Sequence, residues 1–248
     1  MITIKNDEDI KKMREAGRIV AQVHDLMRQM VRPGISTAEL NQAAEQLIYQ
    51  AGAEPSFKGY GGFPAGLCIS IDDEVVHGIP GELLLKEGTI VSIDAGAYLN
   101  GFHGDAAISL PVGEIDEDRK RLLKVTEESL YKGIEQARIG NRLGDVSHAV
   151  QSHCEKNGFS VVRDYVGHGI GENLHEDPQV PNYGPPHRGL RLQEHMAIAI
   201  EPMVNLGKHH VKVLSDGWTV KTLDGKPSAH FEHTIVITAE GPQIMTKL

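Results

Sequence analysis

Arg32, Gly34, Glu39, Leu40, Ala43 and Gly52 recur at a shift of 106 residues as Arg138, Gly140, Asp145, Val146, Ala149 and Gly158. A shift of 107 carries Ile93-Asp94 onto Ile200-Glu201. The match is sparse, but it falls on helix caps and on the ends of two apolar runs, so it reads as an internal repeat of structure. The first copy begins with Ile10, Met13, Gly17, Val20, Val23, Met27 and Met30 at helical spacing, a helix of about 25 residues. Ser36-Thr37-Ala38-Glu39 is a capping box for a second helix, with Leu40, Ala43, Ala44, Leu47, Ile48 and Ala51 inward and Gly52 as its stop. Strands are expected around Gly66–Ile71, Thr89–Ala95 and Asp105–Leu110. The second copy repeats the plan, with Leu122, Val125, Leu130 and Ile134 in one helix and Leu143, Val146, Ala149, Val150 and Cys154 in the next, closed by Gly158. The expectation is one α+β domain of two similar halves, residues 1–112 and 113–248, with a cleft between them as the natural place for a site.

Composition narrows the function. Of 248 residues, 40% are hydrophobic and 24% charged, as in ordinary globular proteins. Net charge is −9, and the longest basic run, Arg119-Lys120-Arg121, follows a cluster of acids, so a nucleic-acid surface is not expected. The opening MITIKNDEDIKK has no apolar signal core, and no stretch approaches a membrane span. Cys68 and Cys154 are too few for a disulfide framework or a structural zinc site, so the chain reads as reduced and cytoplasmic.

Two segments place carboxylates at strand ends. Thr89-Ile-Val-Ser-Ile-Asp94 is a buried-type strand, and Asn100-Gly101 is a strong two-residue hairpin turn. That turn would pair Gly96 with Asp105 and put Asp94 on the same face one step along, with Gly96 leaving room between the carboxylates. Two such charges repel unless a cation neutralises them, although a lone pair of acids near a hairpin is ordinarily a solvated turn. Met196-Ala-Ile-Ala-Ile-Glu201-Pro202 repeats the theme, and Glu232 leads into a further apolar strand, Thr234–Ile237. In Gly167-His168-Gly169-Ile170-Gly171 the glycines would allow a tight turn and close approach of a ligand; the spacing does not fit a dinucleotide loop. Four carboxylates and one histidine suit a pair of Mn²⁺, Fe²⁺, Co²⁺ or Zn²⁺ ions. Spacing alone does not say that they converge, and singly each reads better as a rim or turn residue than as a ligand.

Val76-His77-Gly78-Ile79-Pro80, Ile93-Asp94 with Asp105, Gly167-His168-Gly169-Ile170-Gly171, His175-Glu176, Ile200-Glu201-Pro202 and Phe231-Glu232-His233-Thr234 are arranged as in methionine aminopeptidases. The chain resembles their short bacterial type I form over essentially its whole length, without an N-terminal zinc-binding extension. The resemblance implies the pseudo-two-fold pita-bread fold, an antiparallel curved sheet covered by two pairs of helices. It implies two divalent metal ions, with Asp94 on one, His168 and Glu201 on the other, and Asp105 and Glu232 bridging. The implied reaction is metal-assisted hydrolysis of the first peptide bond, with Glu201 passing a proton to the leaving amine. His175 resembles the histidine that hydrogen-bonds the scissile carbonyl, and His77 the one facing the amide nitrogen and the second residue, which the family prefers small. Tyr60, Phe63, Cys68 and Trp218 resemble the walls of the methionine pocket; aromatic and sulfur surfaces suit a thioether. Leu174 departs from the aromatic residue that many relatives carry before the second histidine, which bears on pocket width. The resemblance also implies a monomer working on nascent chains at the ribosome.

The ten remaining histidines, His24, His103, His148, His153, His187, His195, His209, His210, His230 and His233, read as structural or surface residues, with His103 the nearest to a ligand. A proline-specific peptidase of the same fold would be expected to carry a further N-terminal domain. A metal-free binding relative would be expected to lose ligands that are all present here. Ser70, Ser92 and Ser109 sit in no nucleophile elbow.

Overall fold

The computed structural model describes residues 2–248. The first half contains α1 (Asp7–Met30), α2 (Thr37–Gln50), β1 (Glu54–Pro55), β2 (Leu67–Ile71), β3 (Glu74–Val76), β4 (Ile90–Leu99) and β5 (Phe102–Pro111). The second contains α3 (Glu117–Gln136), α4 (Leu143–Lys156), β6 (Ser160–Val161), β7 (Gly167–Gly169), β8 (Glu176–Val180), β9 (Ala197–Ile200) and β10 (Met203–Asn205). After these come β11 (Val211–Val213), β12 (Val220–Thr222), β13 (Ser228–His230), β14 (His233–Thr238) and β15 (Gly241–Ile244).

The repeat seen in the residues is a repeat of jobs. Glu39 accepts from the Ser36 amide at 2.9 Å, and Asp145 from the Arg142 amide at 2.8 Å, each tying down the start of its helix. Ser36 bridges Leu84, and Arg142 bridges Arg191, at equivalent places in the two halves. Gly52 and Gly158 both adopt positive φ just past their helices, at 76° and 84°, where a Cβ would be strained. α1 is pinned at its start by Asn6, which accepts from the Glu8 and Asp9 amides.

Every strand pairing is antiparallel. A four-stranded sheet runs β1-β4-β2 with β5 also on β4, a five-stranded sheet runs β15-β14-β9-β7-β8, and two three-stranded sheets run β13-β10-β6 and β11-β12-β3. The β4–β5 hairpin turns at Asn100-Gly101, both at positive φ, so Leu99 pairs with Phe102 and Gly96 with Asp105 in the expected register. Both strands run further than the apolar pattern implied. β1 pairs with Ala97 and Tyr98, and α1 covers the hairpin, so residues past Ala95 still find partners.

The halves join edge to edge. Ala107 and Glu232 exchange backbone hydrogen bonds at 2.9 and 3.3 Å, and the Thr234 hydroxyl donates to the Asp105 carbonyl at 2.8 Å. The main apolar cluster crosses this seam, with Val20, Ile48 and Ile93 from one half and Leu130, Val146 and Ile198 from the other. α1 presses on β5 through glycine, since a Cβ on Gly104 would stand 2.7 Å from the Gly17 nitrogen. No helix among the described residues is long and apolar enough to cross a membrane.

Candidate metal centre

The seam gathers residues that are far apart in the chain. Asp94 points from the middle of β4 and Asp105 from β5, opposite Ala107 and Gly96 respectively, so the two carboxyls lie on one face. Glu201 follows the last residue of β9, where Pro202 has no N–H to continue the ladder. Glu232 precedes β14 and is held by its reciprocal backbone pair with Ala107. His168 sits at the centre of β7, paired with Ala199 on β9.

His168 is therefore in a strand, not in a tight turn. Gly167 and Gly169 both have ordinary backbone angles; a Cβ on Gly167 would stand 3.1 Å from that of Val180, and one on Gly169 3.1 Å from the Glu176 carbonyl. The glycines admit neighbouring strands rather than a ligand. Gly96 likewise makes room for something other than an ion, because a Cβ there would stand 2.7 Å from that of Ser56 and 2.9 Å from the Phe57 ring.

The five side chains converge. Asp105, His168 and Glu232 each present a ligand atom within 4.8 Å of the others. His168 Nε2 lies 3.7 Å from Asp105 Oδ2 and 3.7 Å from Glu201 Oε1. Nδ1 of His168 lies 2.8 Å from the Gly169 carbonyl, which can only accept, so Nδ1 carries the proton and the Nε2 lone pair faces the carboxylates. Burial and nearby His175 hold the ring neutral, with its pKa lowered to about 3.

The carboxylates are strongly perturbed. Burial raises Asp105 to about 7 against the restraining hydrogen bonds from Asp94 and Ala106. Burial, and then the charge of Asp105, raise Asp94, Glu201 and Glu232 well above the usual carboxylate range. Asp94 Oδ1, Asp105 Oδ1 and Glu232 Oε1 are all buried with no hydrogen-bond partner. Buried anionic oxygens without a donor are costly, and cations are what such a set is built to take. The residues fit a divalent metal.

Beside the carboxylates is a cavity of about 270 Å³, whose lining includes all five of these residues with His77 and His175. Its apolar side includes Phe63 and Trp218, ring edge to face at 5.1 Å, with Cys68, which pairs with Asp94 across β2 and β4. Tyr60 is rim rather than wall: it is 46% exposed, and its hydroxyl meets His175 Nδ1 at 2.7 Å, leaving the other ring nitrogen unengaged by Tyr60. His77 has φ 60°, uncommon for a non-glycine residue, and stacks edge-on to Tyr165 at 5.6 Å. Burial, then His175, lower the His77 pKa to about 4, and burial lowers that of His175, so both rings are neutral near pH 7.

Sequence reading missed Phe57, Tyr165, Val166 and Met203 in this lining; none carries a local signal that separates it from core or loop. Leu174, noted as a departure, is buried in the wall. His103 is not in the lining; its Nδ1 pairs with the Ser56 hydroxyl at 2.9 Å. A second cavity, of about 320 Å³, lies by His24 and Tyr131 and includes none of the five converging side chains.

The chain matches the model of metallopeptidase family M24 over residues 11–239. It is 57% identical to methionine aminopeptidase 1 of Bacillus subtilis, over 100% of both chains. It is 56% identical to methionine aminopeptidase of Clostridium perfringens, over 99% of both. Its fold superposes on the crystal structure of methionine aminopeptidase from Thermotoga maritima with a TM-score of 0.99 at 48% identity, covering 100% of each chain. The likeness covers both halves, the helix pairs and the seam between them, which is the pita-bread arrangement. The chain therefore belongs to metallopeptidase family M24, among its methionine aminopeptidases, hydrolases that remove the N-terminal methionine from peptides.

Proposed function

We propose that Asp94, Asp105, His168, Glu201 and Glu232 hold two divalent cations, and that this pair and its neighbours carry the aminopeptidase reaction. The observation that supports this most directly is the set of three buried, unpartnered carboxylate oxygens beside the His168 Nε2 lone pair. Mn²⁺, Fe²⁺, Co²⁺ and Zn²⁺ all suit these donors. Cations held there would offset the carboxylate charge, lower the pKa of a water and polarise the scissile carbonyl.

The chain's own groups do the rest. Glu201, ionised beside the cations, accepts a proton from the attacking water and delivers it to the leaving amine. His175, oriented by Tyr60, offers its remaining nitrogen to the carbonyl oxygen, where charge develops. His77 contacts the amide nitrogen and the second residue, which is preferred small. The methionine side chain lies against Phe63, Cys68 and Trp218, with Phe57 and Leu174 completing the apolar surface and Tyr60 at its rim. In this reading residues 1–112 and 113–248 are halves of one catalytic domain, acting as a cytoplasmic monomer on chains leaving the ribosome.

The test is methionine release from Met-Gly-Met-Met and Met-Ala-Ser, with Mn²⁺ or Co²⁺ or after chelation, beside Ala-Pro and Met-Leu controls, together with metal stoichiometry. Two ions per chain and chelator-sensitive release from the small-residue peptides are expected. Full turnover after exhaustive chelation, or unchanged stoichiometry in Asp105→Asn, would remove the assignment.

A further inference from the structure

Glu201 has a histidine at each oxygen. His168 Nε2 stands 3.7 Å from Oε1, and His230 Nε2 stands 3.7 Å from Oε2. The distances match, but only His168 has its tautomer set by a hydrogen bond. His168 has its proton on Nδ1, committed to the Gly169 carbonyl, so it offers Glu201 only a lone pair. His230 Nε2 is buried with no hydrogen-bond partner, and an ionised Glu201 can accept its N–H. A modest side-chain adjustment closes 3.7 Å to hydrogen-bond length.

His230 is also held where this role needs it. It ends β13, paired with Met203 on β10, one residue beyond Pro202. Its amide donates to the Ser109 hydroxyl at 2.8 Å, that hydroxyl donates to the His230 carbonyl at 2.8 Å, and Ser92 backs Ser109 at 2.7 Å. The Glu201 backbone is fixed separately, by the Asn182 amide donating to its carbonyl at 3.0 Å. The His230 ring is 2% exposed and is not part of the cavity lining, so it sits behind the carboxylate, away from substrate.

We propose that His230 is a positioning residue, which holds Glu201 Oε2 from behind so that Oε1 faces His168 and the cation site. Ligating carboxylates are commonly oriented by such outer hydrogen bonds, and losing one typically costs about 10–100-fold in metal affinity or activity. The inference rests on Glu201 being a metal ligand. It requires a neutral donor rather than a charge, so a carboxamide of the right length should replace it.

The experiment is calorimetric Co²⁺ titration, the visible spectrum of the Co²⁺-loaded protein, and kcat and KM, for wild type, His230→Leu, His230→Gln and His230→Asn. Loss of about 10–100-fold in Co²⁺ affinity and in kcat is expected for His230→Leu, with KM little changed and an altered Co²⁺ spectrum. His230→Gln should restore most of both, and the shorter His230→Asn should not. Folded His230→Leu with wild-type Co²⁺ affinity and spectrum would overturn the role. If His230→Leu does not fold, the glutamine–asparagine pair decides, and equal Co²⁺ affinity in the two overturns it. Glu201→Gln separates the two readings. Co²⁺ binding unchanged by that substitution removes Glu201 from the metal site, whereas binding lost there but kept in His230→Leu removes only His230.

Discussion

Asp105→Asn should stabilise the metal-free protein at neutral pH and weaken the metal-loaded one. Burial lifts Asp105 from 3.8 to about 7, so without a cation the folded chain keeps a proton there that the unfolded chain has released. A carboxyl raised in this way contributes its full stability below about pH 4 and loses it as pH climbs towards 7. The difference amounts to about 4 kcal/mol at pH 7 and above, using about 1.4 kcal/mol per tenfold. The substituted carboxamide carries no titration, so the gap between variant and wild type should be small at pH 4 and widen to at most that value by pH 7. At roughly 2–4 °C per kcal/mol for a chain of this size, the upper bound is about 8–16 °C in Tm. Asp94, Glu201 and Glu232 shift in the same direction, in part through the charge of Asp105, so the substitution relaxes them as well and the difference reports the cluster that Asp105 anchors. The assay is thermal unfolding of chelated protein across pH 4–8, repeated with saturating Mn²⁺. With metal the order should reverse once the excess over Kd passes about a thousandfold, where binding stabilises by about 4.1 kcal/mol, because the variant lacks one of the proposed ligands. A wild-type minus variant difference that is flat with pH would refute the reasoning.

Three further outcomes are expected. Gly104→Ala puts a Cβ 2.7 Å from the Gly17 nitrogen and 2.8 Å from its Cα; both are backbone atoms, so about 1–3 kcal/mol of stability should be lost, read as a shift in denaturant midpoint at constant slope. Cys68 and Cys154 are buried, with thiols pushed up (Cys154 to about 12), so iodoacetamide at pH 8 should label neither in the native protein and both after denaturation, as mass spectrometry would show. His175→Ala should cut kcat about 10²–10³-fold, the scale of losing one donor to developing charge, while metal stoichiometry stays at the wild-type value; full turnover would dismiss its role.

The local features that were legible in the residues share one property: each is decided within a few positions. Asn100-Gly101 selects a turn that only one register satisfies, and that register put Asp94 and Asp105 on one face. Glu39 and Asp145 tie helix starts three residues back. Elsewhere the right residues were noticed for the wrong reason. The glycines around His168 looked like a turn because glycine permits one, but strands crowd them instead. His230 looked structural because its neighbour Glu201 is 29 positions away along the chain and the two meet only through the β10–β13 pairing.

The sequence by itself determined the helices and their ends, the β4–β5 register, and a set of residue types with a divalent metal's chemistry. Caps, turn preferences and side-chain periods act over one or two turns of chain, and donor chemistry belongs to the residue wherever it lies. Tertiary structure alone decided that β7, β9 and β14 bring His168, Glu201 and Glu232 to Asp94 and Asp105. It alone placed Phe57 over Gly96, and His230 behind Glu201. Those meetings depend on how two sheets join at Ala107 and Glu232, and a chain carries no local mark of the distance between residues that only packing brings together.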